Sequence, residues 1–181
     1  MAEAYLNLLD GGDLRPTAKA IAAEAGVSER AVFRHFQDME TLHSEAAALQ
    51  IQRVSREIPD PAPTSGRLVE RASQLAIRWC ALNERVTPVR RVALLHEPFA
   101  PEVARRLAWI RGIASTEIEQ TFLPELDAMS QEARRRKVAA LAVCVAWETW
   151  SEIRQRQQLD IDAARETVTS MLVCMFAPAV A

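Results

Sequence analysis

The chain has 181 residues, of which 49% are hydrophobic and 25% charged, and its formal net charge is −2 at pH 7. Such a length is ample for one or two domains with a sizeable core, and no apolar run approaches the ~20 residues of a membrane span. The start of the chain lacks the charged and apolar regions of a signal peptide, so we expect a cytoplasmic protein. Three cysteines, far apart, favour buried reduced thiols over a disulfide or a metal site.

The composition predicts an all-α fold of about nine helices. Ala, Leu, Glu and Arg dominate, only five residues are glycine, and no segment shows the two-residue period of a strand. A first helix is predicted over residues 1–10, and Gly11-Gly12 ends it. Its inward residues are expected to be Ala4, Tyr5, Leu8 and Leu9.

Residues 17–36, TAKAIAAEAGVSERAVFRHF, predict two short helices joined by a sharp turn. Thr17 is a suitable N-cap for the first helix, and Ser28 for the second. Gly26 follows the last residue of the first helix, where a left-handed conformation is cheap only for glycine. This arrangement is typical of a helix-turn-helix DNA-binding motif, in which the first helix braces the second against the major groove.

The second of these helices is expected to bury Val32 and Phe36, with Ala31 and His35 close by. Arg30, near the helix start, is the best candidate for a contact with guanine O6 and N7. Glu29 either accepts a hydrogen bond from a cytosine amino group or favours the helix N-terminus electrostatically. Hydroxyl and basic groups of both helices are candidates for phosphate contacts. The predicted DNA-binding residues are Thr17, Lys19, Ser28, Glu29, Arg30, Phe33, Arg34 and His35.

Asp38 is a good cap for a fourth helix running to about Ile58, and the sequence PDPAPTSG follows at 59–66. We therefore divide the chain into a DNA-binding domain at 1–57, a linker at 58–66, and a ligand-binding and dimerisation domain at 67–181. In the larger domain, helices are predicted over 67–86, from Thr87-Pro88 to about His96, from Pro101 to about Thr121, from Ser130 to about Gln157, and from Asp160 or Asp162 to near Pro178.

Two of these helices are candidates for an interface between chains. Residues 138–147, VAALAVCVAW, are apolar on every side, as expected of a helix in a core or between two molecules. One side suits its own domain (Val138, Leu141, Ala142, Val145) and the other a partner (Ala140, Val143, Cys144, Trp147). The last helix is similarly apolar at Val168, Met171, Leu172, Met175 and Phe176. The alternative is that both helices are the core of a monomer.

The runs Ala22 to Ser28, Val32 to Phe36 and Asp38 to Leu42 resemble the DNA-binding domain of the TetR/AcrR family of bacterial repressors. The resemblance covers roughly the first 57 residues, and the remainder is similar only in length and helical character. It implies a homodimeric repressor that binds double-stranded DNA at an inverted repeat, with the last two helices of each chain forming a four-helix interface. It also implies that His35 packs against the first helix of the motif, although a role as phosphate donor stays open.

Two departures from the family weaken the expected grip on DNA. Phe33 stands where the family often has a phosphate-binding Tyr, and Met39 where it often has Lys. Residues 1–57 hold six Lys and Arg against nine Asp and Glu, so their net charge is −3. We expect modest affinity and a shallow salt dependence. The alternative function is a dimeric interaction protein whose helix-turn-helix has degenerated, with weak or no DNA binding.

The resemblance further implies an effector pocket in the larger domain, which holds all four tryptophans. Because few polar residues interrupt its apolar stretches, we expect a small apolar or aromatic effector. The alternative is that most of these tryptophans belong to the core or the dimer interface. The candidate ligand-binding residues are Trp79, His96, Phe99, Trp109, Trp147, Glu148 and Trp150.

Catalysis is disfavoured by the sequence. There are three histidines, and no phosphate-binding loop, dinucleotide-binding turn, zinc-protease motif or nucleophile elbow is present. We expect no catalytic residues, no cofactor and no metal.

Overall fold

The computed structural model describes residues 1–177, which contain helices and no strand. The predicted all-α class is therefore confirmed. The chain divides into two compact units. Unit 1 comprises Met1–Glu57 and Arg85–Arg105, and unit 2 comprises Ile58–Glu84 and the chain from Arg106 onward. No helix within the described part of the chain is both long enough and apolar enough to span a membrane.

Unit 1 is built on four short helices and the end of a long one. They are α1 (Ala2–Asp10), α2 (Ala18–Glu24), α3 (Glu29–His35), α4 (Met39–Ser55) and the part of α5 (Leu68–His96) from Arg85 onward, followed by the first turn of α6 (Pro101–Thr121). Its core contains Tyr5, Ile21, Val32 and Leu42, with Val92 from α5. Within α1, Ala4, Tyr5 and Leu9 are buried as predicted. Leu6, which was not predicted, is buried as well, and Leu8 is half-buried against the same core.

Unit 2 contains the remaining helices. After α5 and α6 come α7 (Leu123–Leu126), α8 (Gln131–Val145), α9 (Trp147–Ser151), a π-helical turn (Glu152–Arg156) and α10 (Ile161–Cys174). Leu75, Ile118, Phe122, Leu141 and Leu172 form the centre of its core. The predicted end of the last helix near Pro178 lies outside the described residues.

Side-chain caps start the helices where the sequence predicted them. Each capping oxygen accepts a hydrogen bond from the backbone N–H three residues later, which satisfies one of the unpaired donors of the first turn. The N–H to oxygen distances are 3.2 Å at Thr17, 3.2 Å at Ser28, 2.8 Å at Asp38, 3.3 Å at Ser130 and 2.8 Å at Asp160. Of the two residues proposed for the start of the last helix, Asp160 is therefore the cap.

Two predicted helix boundaries were wrong. The helix expected to begin at Thr87-Pro88 is the continuation of α5, which runs through Pro88. Packing of Val89 and Val92 against the core of unit 1 holds this part of the helix in place despite the missing N–H of proline.

The long helix predicted from Ser130 to Gln157 is broken at Ala146, whose backbone is extended. Side chains compensate the carbonyls that lose helical partners there. Asn83 Nδ2 donates to the carbonyl of Val145 at 2.9 Å, and the Thr149 hydroxyl donates to that of Val143 at 2.5 Å. The bond from Asn83 stabilises the break in particular, because it lies in the interior and a buried carbonyl without a partner is costly.

The cysteines are free within the described part of the chain. Cys80 and Cys144 are buried, and burial raises the pKa of both thiols, that of Cys80 to about 12. The predicted reduced, buried state fits these two, whereas Cys174 is exposed. Cys144 belongs to the core of unit 2 rather than to the outward side of α8 where the sequence placed it.

Candidate nucleic-acid interface

The turn between α2 and α3 is fixed by backbone hydrogen bonds. Gly26 has φ of +66°, in the left-handed region. The N–H of Val27 bonds to the carbonyl of Ala22 at 2.9 Å, and the N–H of Gly26 bonds to that of Ala23 at 3.2 Å. This pair of bonds is the Schellman arrangement, which satisfies the last carbonyls of α2. It also directs the chain at once to Ser28, the cap of α3.

The two helices of the motif are anchored through small sets of buried residues. Ile21 and Ala22 of α2, and Val32 of α3 with the adjacent Phe36, are buried in the core of unit 1. Because residues of a helix advance by about 100° each, this anchoring fixes which side of α3 faces outward. Arg30 and Arg34 lie opposite Val32 and Phe36.

The structure places all eight predicted DNA-binding side chains on the surface. The predicted side chains that belong to α3 lie on the outward side of this helix and beside it, so they form one continuous surface. Phe33 neighbours Arg30 at three-residue spacing, and its side chain is 55% exposed. The oxygens of Thr17 and Ser28 accept the capping bonds, which leaves each hydroxyl hydrogen available to donate to a phosphate.

The arginines on this surface differ from the charged residues elsewhere in unit 1. Within residues 1–177, Arg30 and Arg34 form no ion pair. Elsewhere in unit 1, charged side chains are engaged: Arg53 pairs with Glu3 at 2.8 Å, and Asn7 Nδ2 donates to Glu24 at 3.1 Å. Residues 1–57 carry a net charge of −3, but two of their acidic side chains, Glu3 and Glu24, are thus engaged by other residues of unit 1.

The two departures from the family motif have different structural settings. Met39 is partly buried and packs against the core of unit 1, so it contributes to folding. Phe33 has no such packing partner among the aromatic contacts of the described residues. His35 is exposed, and its ring meets the edge of Phe36 at 4.8 Å between centroids.

The candidate ligand-binding residues fall into different environments. Trp79 and Trp150 are buried in the core of unit 2. Their indole N–H groups donate to Glu117 Oε2 at 3.2 Å and to Glu84 Oε2 at 2.8 Å. Both carboxylates were missed by sequence reasoning, because their partners lie more than thirty residues away in the chain.

The other candidates are more accessible. Trp109 is 59% exposed and Phe99 86% exposed, Glu148 is exposed, and Trp147 is half-buried. His96 is exposed, with its ring centroid 5.2 Å from that of His43. His96 and Phe99 belong to unit 1 and the other five candidates to unit 2. A shallow groove of about 420 Å³ in unit 2 is lined by other residues: Met129, Ala133, Arg136, Lys137 and Ala140.

An all-α chain with a capped helix, a Schellman turn and an outward-facing second helix defines a helix-turn-helix protein. Residues 11–46 match the model of the bacterial regulatory proteins of the tetR family. This match confirms the resemblance seen in the sequence of the helix-turn-helix segment.

A solved structure supports the same fold over the whole chain. It is a transcriptional regulator from Rhodococcus sp. Rha1, which is similar with a TM-score of 0.73 at 14% sequence identity. The similarity covers 96% of this chain and 92% of that chain. No curated protein matches the chain. Together with the family match, the fold supports a DNA-binding regulator.

Proposed function

We propose that the protein is a cytoplasmic, homodimeric transcriptional repressor that binds an inverted-repeat DNA operator and is released by a hydrophobic small molecule. The observation that supports this proposal is the outward side of α3, where Arg30 and Arg34 are exposed, form no ion pair with any described residue, and lie next to the turn capped by Ser28. Arginine presented in this way is suited to the major groove, where its guanidinium reads guanine.

The DNA contacts divide into two kinds. Arg30 lies in the first turn of α3 and reads a guanine, while Arg34 reads a neighbouring base or binds the backbone. Thr17, Lys19 and Ser28 flank the reading surface and bind phosphates, which sets the register of the protein on the duplex. Because these donors are few, the affinity falls only gradually with salt.

The dimer forms through α8 and α10. Val143, in the last turn of α8, is 62% exposed, and Ala139, one turn earlier, is small and exposed. An apolar side chain surrounded by small residues suits close packing against a second helix. Two chains related by a two-fold axis place their reading helices in successive major grooves, ~34 Å apart.

A charged residue at Val143 tests the dimer. We expect Val143→Glu to sediment as a monomer with unchanged helicity, because the introduced carboxylate would be desolvated in the interface. The matched control is Gln155→Glu, at an exposed position in the π-helical turn that follows α9, which should stay dimeric. Sedimentation of the wild type as a monomer at micromolar concentration would contradict the proposed interface.

The effector is proposed to bind in unit 2 among its aromatic residues. The indole N–H groups of Trp79 and Trp150 donate to Glu117 and Glu84, so a ligand that displaced either ring would break one of these hydrogen bonds. We expect a hydrophobic aromatic compound to quench tryptophan fluorescence saturably and to weaken DNA binding. If the compound quenched the fluorescence without lowering the affinity for DNA, it would bind the protein but would not release it from its operator, which would contradict the proposed regulation.

The alternative is an interaction protein with a degenerate helix-turn-helix, and it is favoured by Phe33 and Met39. Selection of bound fragments from a random DNA pool distinguishes the two functions. The repressor enriches an inverted repeat with guanine in each half-site. Recovery of unenriched sequence at low and at moderate salt would instead favour the interaction protein.

A further inference from the structure

We infer that Phe33 is a base-reading residue that recognises the C5-methyl group of a thymine. The inference rests on the proposed function, because it assigns a specificity to the same DNA-binding surface. The helix-turn-helix therefore gains a second reader beside Arg30, with apolar rather than polar chemistry.

The position of Phe33 gives the first argument. It lies on α3 three residues after Arg30, so the two side chains are neighbours on the helix surface. Long side chains on a helix lean towards its N-terminus, which brings the ring over the first turn of α3, next to Arg30. Any duplex that receives the Arg30 guanidinium in its major groove also faces the Phe33 ring.

The chemistry of the ring gives the second argument. With 55% of its surface exposed and no ring contact among the described residues, Phe33 does not serve the core of unit 1. Phenylalanine lacks the hydroxyl that could donate to a phosphate. In the major groove, the one apolar feature of a base pair is the thymine methyl group, and apolar side chains recognise it by contact.

The spacing of the helix predicts where the thymine lies. Three residues along a helix advance by about 4.5 Å, and adjacent base pairs are ~3.4 Å apart. The thymine read by Phe33 is therefore expected one or two base pairs from the guanine read by Arg30.

The test replaces thymine by deoxyuridine, which removes only the methyl group. The operator is first obtained by selection from random DNA, and each thymine is then replaced symmetrically in both half-sites. At one thymine position of the half-site, the replacement should lower the affinity of the wild-type protein for the operator roughly ten-fold, because one methyl contact is lost in each half-site. Phe33→Ala should bind both duplexes equally, whereas Phe33→Leu should keep part of the preference. Val69→Ala, an exposed apolar position in unit 2, should keep all of it.

Each failure has its own signature. If no thymine replacement lowers the affinity more than two-fold, or if Phe33→Ala keeps the full preference for thymine, the inference is overturned while DNA binding stands. If the selection enriches no sequence at all, the proposed function fails, and the reading role of Phe33 fails with it.

Discussion

Arginine serves different purposes in the two units. In unit 1, Arg30 and Arg34 extend from α3 into solvent without a partner among the described residues. In unit 2, Arg71, Arg78 and Arg154 each bind a carboxylate and a backbone carbonyl. The carboxylates are Glu125, Glu117 and Glu84, and the carbonyls include those of Thr121, Pro59 and Leu159. Although the net charge of the chain is only −2, its arginines differ in their surroundings. Those of α3 can bind an anion, whereas those of the unit 2 network are already neutralised by carboxylates.

Glu117 shows how far the pairing in unit 2 extends. Its carboxylate is buried and accepts hydrogen bonds from the Ala62 N–H, from Trp79 Nε1 and from Arg78 Nε, each at 3.2 Å. One side chain thus joins α5, α6 and the segment that follows α4. The difference between the units is that the paired arginines of unit 2 stabilise the fold, whereas the exposed arginines of α3 are the proposed DNA readers.

Removal of Glu117 should have the largest effect on stability. Glu117→Ala removes the carboxylate partner of the Arg78 guanidinium and leaves the Ala62 N–H and Trp79 Nε1 without their acceptor. We expect a loss of about 3–5 kcal/mol in the free energy of unfolding. Urea denaturation followed by circular dichroism measures it. The control is Glu132→Ala, which breaks an exposed ion pair with Arg136 and should cost below about 0.5 kcal/mol. If both variants lost a similar free energy of unfolding, the buried hydrogen bonds of Glu117 would stabilise the protein no more than an exposed ion pair does.

Removal of Arg30 should affect DNA binding and leave folding unchanged. Arg30→Ala should weaken operator binding by about 1–3 kcal/mol per half-site and relax the preference at one base pair. The melting temperature should not move, because Arg30 is exposed and has no ion-pair partner among residues 1–177. Arg135→Ala in unit 2, also exposed, should alter neither property. An unaltered base preference in the Arg30 variant would remove this residue from the reading surface.

Replacement of glycine by alanine should lower the stability of the protein at Gly26 in unit 1 and raise it at Gly112 in unit 2. Gly26→Ala forces a side chain into a left-handed conformation and should destabilise the protein by about 1 kcal/mol. Gly112 lies within α6, and a Cβ there meets nothing within 4 Å. Gly112→Ala should stabilise the protein by about 0.5–1 kcal/mol. Thermal unfolding of both variants checks this, and a shift of the same sign in both would refute the account of the turn.

The smallest expected effect is a dependence of unit 1 on pH. Burial, and then the charge of His96, lower the pKa of His43, which also stacks on Tyr5 at 4.9 Å. The unfolded chain therefore binds the proton more readily, so stability falls as the pH drops below ~6.5, and the loss is complete below the lowered pKa. We expect less than about 1 kcal/mol. Hydrogen exchange of α4 amides between pH 7.5 and 5 measures it, and His43→Gln should flatten the profile.

The ion pair of Glu84 in unit 2 should not respond in that range. Burial acts to raise the pKa of Glu84, but the hydrogen bonds from Arg154 and Trp150 outweigh it and lower the pKa. A group of this kind loses its stabilising effect only in more acidic solution. If α9 amides lost protection between pH 7.5 and 5 as fast as those of α4, the contrast between the units would be wrong.

The features that the sequence predicted well are local. Thr17, Ser28 and Asp38 act within three residues of their own position, and Gly26 needs only its own backbone angle. Their physical causes are therefore contained in a short stretch of sequence. The exposure of Arg30 and Arg34 follows from the same helical period that buries Val32 and Phe36.

The features that the sequence could not predict depend on distant partners. The break at Ala146 is stabilised by Asn83, which is 62 residues from the carbonyl it binds. Pro88 remains inside α5 because residues beyond it pack against unit 1. Trp79 and Trp150 were predicted to bind a ligand, and nothing near them in sequence indicates that Glu117 and Glu84 already bind their N–H groups.

The central claim is that the unpaired arginines of α3 bind DNA in a sequence-dependent way. The most direct measurement is a titration of the wild-type protein with its selected duplex and with a scrambled duplex of equal length, at two or more salt concentrations. The account predicts tighter binding to the selected duplex by at least three orders of magnitude, with a shallow salt dependence for both. Equal affinity for the two duplexes, or no binding at low salt, would contradict it.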